Sequence, residues 1–130
     1  MAGHVDGKIA LVTGGGSGIG RSASLALARE GAKVVVADVV VEGGLETAKL
    51  ITDAGGEASF VQTDVAQAVQ VETLVKHAVD RYGRLDCAFN NAGIAGAAAR
   101  TGDYKEKHWD RVISINLTGV WLCMKYELQH

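Results

Sequence analysis

The chain has 130 residues, 48% of them hydrophobic and 22% charged, with a formal net charge of -2. That length and balance fit one packed domain, and the near-neutral charge offers no broad basic field for steering onto nucleic acid or an anionic membrane surface. Cys87 and Cys123 lie in apolar segments without C-x-x-C spacing, which argues for buried free thiols in a reducing, cytoplasmic compartment. No apolar run approaches a membrane span, and the opening residues carry no basic-then-apolar leader.

In chain order, "KIALVTG" (8–14) is a short β-rich run ending in glycine, and residues 19–30 carry Ile19, Ala23, Ala26 and Leu27 at helical spacing before Gly31. Strand, glycine turn and helix then recur. "KVVVAD" (33–38) predicts a second strand, 42–54 a helix closed by Gly55 and Gly56, and "ASFVQTD" (58–64) a third strand. Residues 67–82 place Val71, Leu74, Val75, Ala78, Val79 and Tyr82 on one helical face, and "LDCAFNNAG" (85–93) supplies a fourth strand. From about Lys105, the positions of Trp109, Val112, Ile113, Asn116, Leu117, Val120 and Trp121 predict a long apolar helix running nearly to the last residue.

Strands that are almost continuously apolar and alternate with helices argue for the α/β class, a Rossmann-type doubly wound parallel sheet with helices on both faces. Residues 1–130 form one domain in this reading, with the first four strand-helix units present. The strand order 3-2-1-4 follows if the chain reverses direction after the third strand, and it opens a ligand crevice at the carboxyl ends of strands one and four.

"TGGGSGIG" (13–20) stands between the first strand and the first helix. Glycine lets another molecule approach the main chain closely, and a helix starting straight afterwards offers unpaired N–H groups and partial positive charge, a site for a diphosphate. The spacing Gly14-x-x-x-Gly18-x-Gly20 is longer than the general dinucleotide fingerprint, and the alternative for such a stretch is a flexible turn. No Gly-Lys-Ser/Thr follows, which disfavours a P-loop. Asp38 closes the second strand, where a dinucleotide fold needs an acceptor for the adenosine ribose hydroxyls. A 2′-phosphate there would face the carboxylate, and Ser17 and Val39 stand where a rescuing cation would be needed, so NAD is expected over NADP. The alternative for Asp38 is a cap on the following helix.

Together "TGGGSGIG", "VVVAD" with Asp38, "TDV" (63–65), "NNAG" (90–93) and "HWDRVISINLTG" (108–119) resemble the short-chain dehydrogenase/reductase family over nearly the whole chain. The resemblance implies that Gly14, Ser17, Gly18, Ile19 and Gly20 line the diphosphate and adjoining ribose. By the same resemblance Asp38 takes the adenosine ribose and Asp64 and Val65 hold the adenine. Asn91, Ala92 and Gly93 pass close to the cofactor, and Asn90 stabilises the fourth strand. Asn116 corresponds to the asparagine of the family's Asn-Ser-Tyr-Lys catalytic group, where a buried amide is thought to hold a proton-relaying water; helix-interior hydrogen bonding is the plainer role. Trp109 and Trp121 are assigned to core or interface packing. The four histidines show no metal-ligand spacing, so no metal is expected.

The family's serine and Tyr-x-x-x-Lys are not found in these residues. Tyr82, Tyr104 and Tyr126 are followed four positions on by Asp86, His108 and His130. The chain is therefore expected to be the cofactor-binding half of a longer NAD-dependent oxidoreductase acting on a secondary alcohol or ketone, forming a dimer or tetramer. An uncovered fourth strand and an apolar face on the last helix would favour such self-association. A short non-catalytic dinucleotide-binding or regulatory module is the alternative. An S-adenosylmethionine site is a further one, weakened by "NNAG" and the glycine spacing.

Overall fold

β-Branched side chains favour extended backbone, and the runs Ile9–Thr13 (β1) and Lys33–Asp38 (β2) form the two central strands of a four-stranded parallel sheet in the order β3-β2-β1-β4. The computed structural model describes residues 2–130; Met1, the first position of the expected domain, lies outside the described residues. The outer strands are Ala58–Gln62 (β3) and Cys87–Asn90 (β4), and the crossovers are the helices Gly18–Arg29 (α1), Val41–Asp53 (α2) and Ala68–Tyr82 (α3). A 3-10 turn at Thr101–Asp103 precedes Glu106–Ile113 (α4) and Gly119–Glu127 (α5). The expected class, strand order and helix-covered faces are all present.

Successive strand side chains point to opposite faces, and both faces are covered. Ala10, Val12, Val34 and Val36 meet Ile51 of α2 together with Leu25, Leu27 and Ala28 of α1. Leu11, Val35 and Ala37 meet Leu74 and Ala78 of α3 on the other face. This two-sided burial is why β1 and β2 read as unbroken apolar runs: Val34, Val35 and Val36 are all 0% exposed, and each such side chain stabilises the fold by about 1.5–3 kcal/mol. Val65 and Val71 with Leu122 and Cys123 bring α5 against α3. The register sets Thr13 opposite both Ala37 and Asn90, so three strand ends finish level at the rim.

Several expected boundaries move. β3 stops at Gln62, because Asp64 turns the chain: its N–H goes to the Gln70 side chain at 2.8 Å and its carboxylate accepts the Ala66 N–H at 3.0 Å. β4 is shorter than expected at both ends, since the Asp86 carboxylate takes the Ile9 N–H before it and the Asn91 N–H turns back to the Phe89 carbonyl after it. The single helix expected from Lys105 is interrupted by a π-helical turn at Ser114–Thr118, a register change that periodicity counting does not resolve.

Three burial expectations also change. Ile19 is 73% exposed, because the first turn of α1 buries Gly20 and then Ser24 instead, and the helix meets the sheet core further along through Leu25, Leu27 and Ala28. A β-carbon at Gly20 would fall 2.0 Å from the Gly14 carbonyl oxygen, so only a small face fits. Trp109 and Trp121 are 60% and 54% exposed and are not core residues. Asn116 is exposed rather than buried. Cys123 is buried and Cys87 half-buried, both as free thiols, with burial first and Glu127 second pushing the Cys123 thiol up to about 12. Among the described residues, no helix is long and apolar enough to cross a membrane.

Candidate functional site

A cleft of about 450 Å³ opens at the carboxyl ends of the strands, where the chain reverses between β3 and β4, the position at which doubly wound sheets bind ligands. Six of the residues singled out from the sequence line it: Gly14, Asp38, Asp64, Val65, Ala92 and Gly93. Arg111 and Ser114 close the far side. Ser17, Gly18, Ile19, Gly20, Asn91 and Asn116 lie outside its lining, and the geometry says what each does instead.

Gly14 leaves β1 with φ +63, and a β-carbon there would meet the Asn91 Nδ2 at 2.9 Å and the Ala92 Cα at 3.0 Å. The glycine therefore lets the segment after β4 pass directly beneath the turn. Asn91 reinforces this crossing by donating from Nδ2 to the Thr13 and Gly14 carbonyls at 3.2 and 3.3 Å, and Thr13 Oγ1 accepts the Ala92 N–H at 3.1 Å. Gly18, by contrast, has φ +51 and open space where a β-carbon would stand. Ser17 precedes α1 with extended backbone and makes no side-chain cap bond. Ser17 to Ile19 thus form an open lip at the helix start, with Gly20 buried behind it and first-turn amides that the helix cannot satisfy itself.

Asp38 uses both carboxylate oxygens on backbone donors. Oδ2 accepts the Gly16 N–H at 2.9 Å, and Oδ1 accepts the Val40 N–H at 3.0 Å. The carboxylate is thus fixed between the glycine turn and the approach to α2. Carboxylates retain further acceptor sites after two such bonds, so it serves the local turn and still faces the cleft. Asp64 behaves alike, turning the chain toward α3 while lining the cleft. Val65 is only 5% exposed, and its side chain packs where a β-carbon at Gly119 would come within 2.7 Å; what it offers the cleft is chiefly backbone.

Asn116 lies in the π-helical turn and pairs with the backbone of Ile94, donating from Nδ2 to its carbonyl at 2.8 Å and accepting its N–H through Oδ1 at 2.9 Å. Asn90 reaches α5, donating from Nδ2 to Glu127 Oε1 at 2.8 Å.

Sequence reasoning missed three contributors. Thr13 opens "TGGGSGIG", where nothing in the motif marks its hydroxyl as the acceptor for the Ala92 N–H. Arg21 donates from Nη2 to the Gly16 and Gly43 carbonyls at 2.8 and 3.1 Å and from Nε to Thr47 Oγ1 at 2.9 Å. Thr47, 0% exposed in mid-helix, donates to the Gly15 carbonyl at 2.8 Å. An arginine and a threonine at those positions carry no pattern that single-sequence reading uses; only the three-dimensional crossing reveals them. Among the described residues, no group of three or more His, Cys, Asp or Glu side chains could hold a metal ion.

This arrangement has close counterparts. A short chain dehydrogenase/reductase of Aspergillus oryzae is 44% identical over 126 residues, covering 96% of this chain and 48% of that protein. Cyclohexanol dehydrogenase of an Acinetobacter species is 39% identical over 128 residues, covering 98% of this chain and 51% of that one. The crystal structure of carveol dehydrogenase from Mycobacterium avium in complex with NAD superposes with a TM-score of 0.94 at 32% identity, over 98% of this chain and 50% of that chain. The chain spans about half the length of the curated relatives it matches. With the family's model matching residues 8–130, the chain belongs to the short chain dehydrogenase family.

Proposed function

We propose that this chain is the dinucleotide-binding part of an NAD-dependent oxidoreductase that moves hydride between the nicotinamide and a secondary alcohol or ketone. The observation that carries the reading is the Asp38 carboxylate, held at the cleft by the Gly16 and Val40 amides. It presents acceptors to vicinal ribose hydroxyls and repels a 2′-phosphate. At an effective dielectric near 20, each unit of like charge at about 4 Å costs on the order of 4 kcal/mol before solvent screening reduces it.

The surrounding residues fit the nucleotide. The open positive-φ turn at Gly18 leaves room for a diphosphate beside the first amides of α1. Asp64 and Val65 line the cleft, which supports an adenine contact there, and Ala92 and Gly93, both small, line it as well. When bound, the nicotinamide supplies the two-electron hydride chemistry. Asn116 orders the Ile94 segment at the cleft's edge, the contribution of these residues to a catalytic group whose serine, tyrosine and lysine belong to the remainder of a longer protein in this proposal. The NAD complex of carveol dehydrogenase supports the cofactor choice by likeness.

The same reading makes the protein a cytoplasmic homo-oligomer, a dimer or tetramer, whose partners are small molecules rather than nucleic acid or membrane. Exposed Trp109, Leu117 and Trp121 on the last helical segments favour self-association. Fluorescence titration of the protein with NADH and NADPH tests the central claim: NADH is expected to bind more tightly, and Asp38→Ala is expected to narrow the difference. Equal or reversed affinities in the unmodified protein would overturn it.

A further inference from the structure

Arg21 and Thr47 hold the glycine turn from behind. Thr47 donates to the Gly15 carbonyl, while the N–H of the same Gly15–Gly16 peptide plane points at Asp38 Oδ2. The next plane has its Gly16 carbonyl on Arg21 Nη2. Peptide bonds here are all trans, so each plane directs its N–H opposite to its carbonyl. Capturing both carbonyls on the α2 side therefore turns the Gly16 N–H toward Asp38 and the Ser17 N–H away from α2, onto the open lip.

The contact is close as well as hydrogen-bonded. A β-carbon at Gly43 would stand 2.7 Å from the Gly16 carbonyl oxygen, and one at Gly16 would stand 2.9 Å from Asp38 Oδ2 and 3.0 Å from the Gly44 nitrogen. The turn, the first residues of α2 and the Asp38 carboxylate are thus packed backbone to backbone. Among the described residues, the Arg21 guanidinium is the one cationic group joined to this crossing by hydrogen bonds, spanning Gly16, Gly43 and Thr47.

We propose that Arg21, assisted by Thr47, is a positioning residue for nucleotide selectivity: it fixes the Gly16 peptide and thereby the Asp38 carboxylate, so that recognition of the ribose hydroxyls depends on an arginine held away from the nucleotide. The inference rests on the NAD reading of the cleft. Its consequence separates it from a merely structural role. Loosening the crossing should weaken the ligand that needs a correctly aimed carboxylate, NADH, more than NADPH, which that carboxylate repels.

The test is a set of NADH and NADPH titrations on the unmodified protein, Arg21→Met, Arg21→Lys and Thr47→Val, with melting curves confirming that each is folded and amide exchange at Gly16 measured without nucleotide. Arg21→Met is expected to weaken NADH about tenfold with little change for NADPH, and to speed exchange at Gly16. Arg21→Lys, which can still reach a carbonyl, should recover part of the ratio. Thr47→Val, a near-isosteric loss of one hydroxyl, should shift the ratio in the same direction by a smaller factor and carries the test if Arg21→Met does not fold. An unchanged NADH-to-NADPH ratio in folded variants that bind both, or unchanged exchange at Gly16, would overturn this inference alone. Failure of the unmodified protein to bind NADH would overturn the cofactor reading and this inference with it.

Discussion

Asn116 and Ile94 form a closed pair: the side-chain amide of one satisfies both the N–H and the carbonyl of the other, at 2.9 and 2.8 Å, across 22 positions of sequence. The pair ties the π-helical turn to the segment leaving β4, and Ile94 lines the cleft. Asn116→Ala is expected to free both backbone groups, speed amide exchange at Ile94 and cost about 1 kcal/mol of stability, because water replaces the lost partners at an exposed site. Exchange measured by NMR checks this; unchanged protection at Ile94 would mean the segment is held elsewhere.

Gly14 and Gly18 both have positive φ but differ in surroundings. Gly18→Ala is expected to cost about 1 kcal/mol, the penalty for an L-residue in the left-handed region. Gly14→Ala adds contacts at 2.9 and 3.0 Å with Asn91 and Ala92 and is expected to cost about 2–4 kcal/mol. Urea denaturation of the two variants gives the order directly, and the reverse order would contradict the crossing described at Gly14.

His77 accepts or donates a hydrogen bond with Ser59 at 2.9 Å, and Tyr82 donates to the same hydroxyl. Burial first, and the nearby Arg81 second, lower its pKa below the ordinary 6.5, with Asp80 opposing. A histidine whose pKa is lower in the folded state binds fewer protons there than in the unfolded chain. Its contribution is therefore present above pH 6.5 and lost as pH falls through the folded value. Denaturation midpoints from pH 5 to pH 8 should fall on the acid side, and His77→Gln should flatten that slope.

Glu127 has the opposite sign. Burial raises its carboxyl above the ordinary 4.5, with the Asn90 hydrogen bond opposing. Its contribution is accordingly present below pH 4.5 and lost as pH rises through the folded value. Asn90 Oδ1 and Glu127 Oε2 are both buried without a partner among the described residues. Glu127→Gln keeps the acceptor for Asn90 Nδ2, removes the charge and introduces a donor. It is expected to stabilise the protein at pH 7 by about 1 kcal/mol and much less at pH 4. Loss of stability at pH 7 would show the charge to be favourable.

The sheet was legible because two-sided burial writes itself as uninterrupted apolar runs, as in "VVV" of β2, and because the glycines after the helices punctuate the crossovers. The cleft was legible where chemistry and position coincide, at Asp38 and Asp64. What stayed hidden depends on crossings between distant segments. Ile19 matched the helical stripe, yet at the start of α1 the buried positions are Gly20 and Ser24, with Leu25, Leu27 and Ala28 packing on the sheet further along, since the close approach to the glycine turn selects for small size. The roles of Arg21 and Thr47 exist only because α1 and α2 meet behind the turn. The π-helical turn leaves no mark in a count of apolar positions.

The bond from the Ala92 N–H to Thr13 Oγ1 joins residues 79 positions apart. Closing a loop of that length carries an entropic cost, so docking of β4 beside β1 is expected late in assembly. The floor of the cleft comes into being only with that event. Affinity for a small molecule at this floor is therefore a reporter of completed folding, and by mass action such a molecule would tighten the whole sheet rather than one loop.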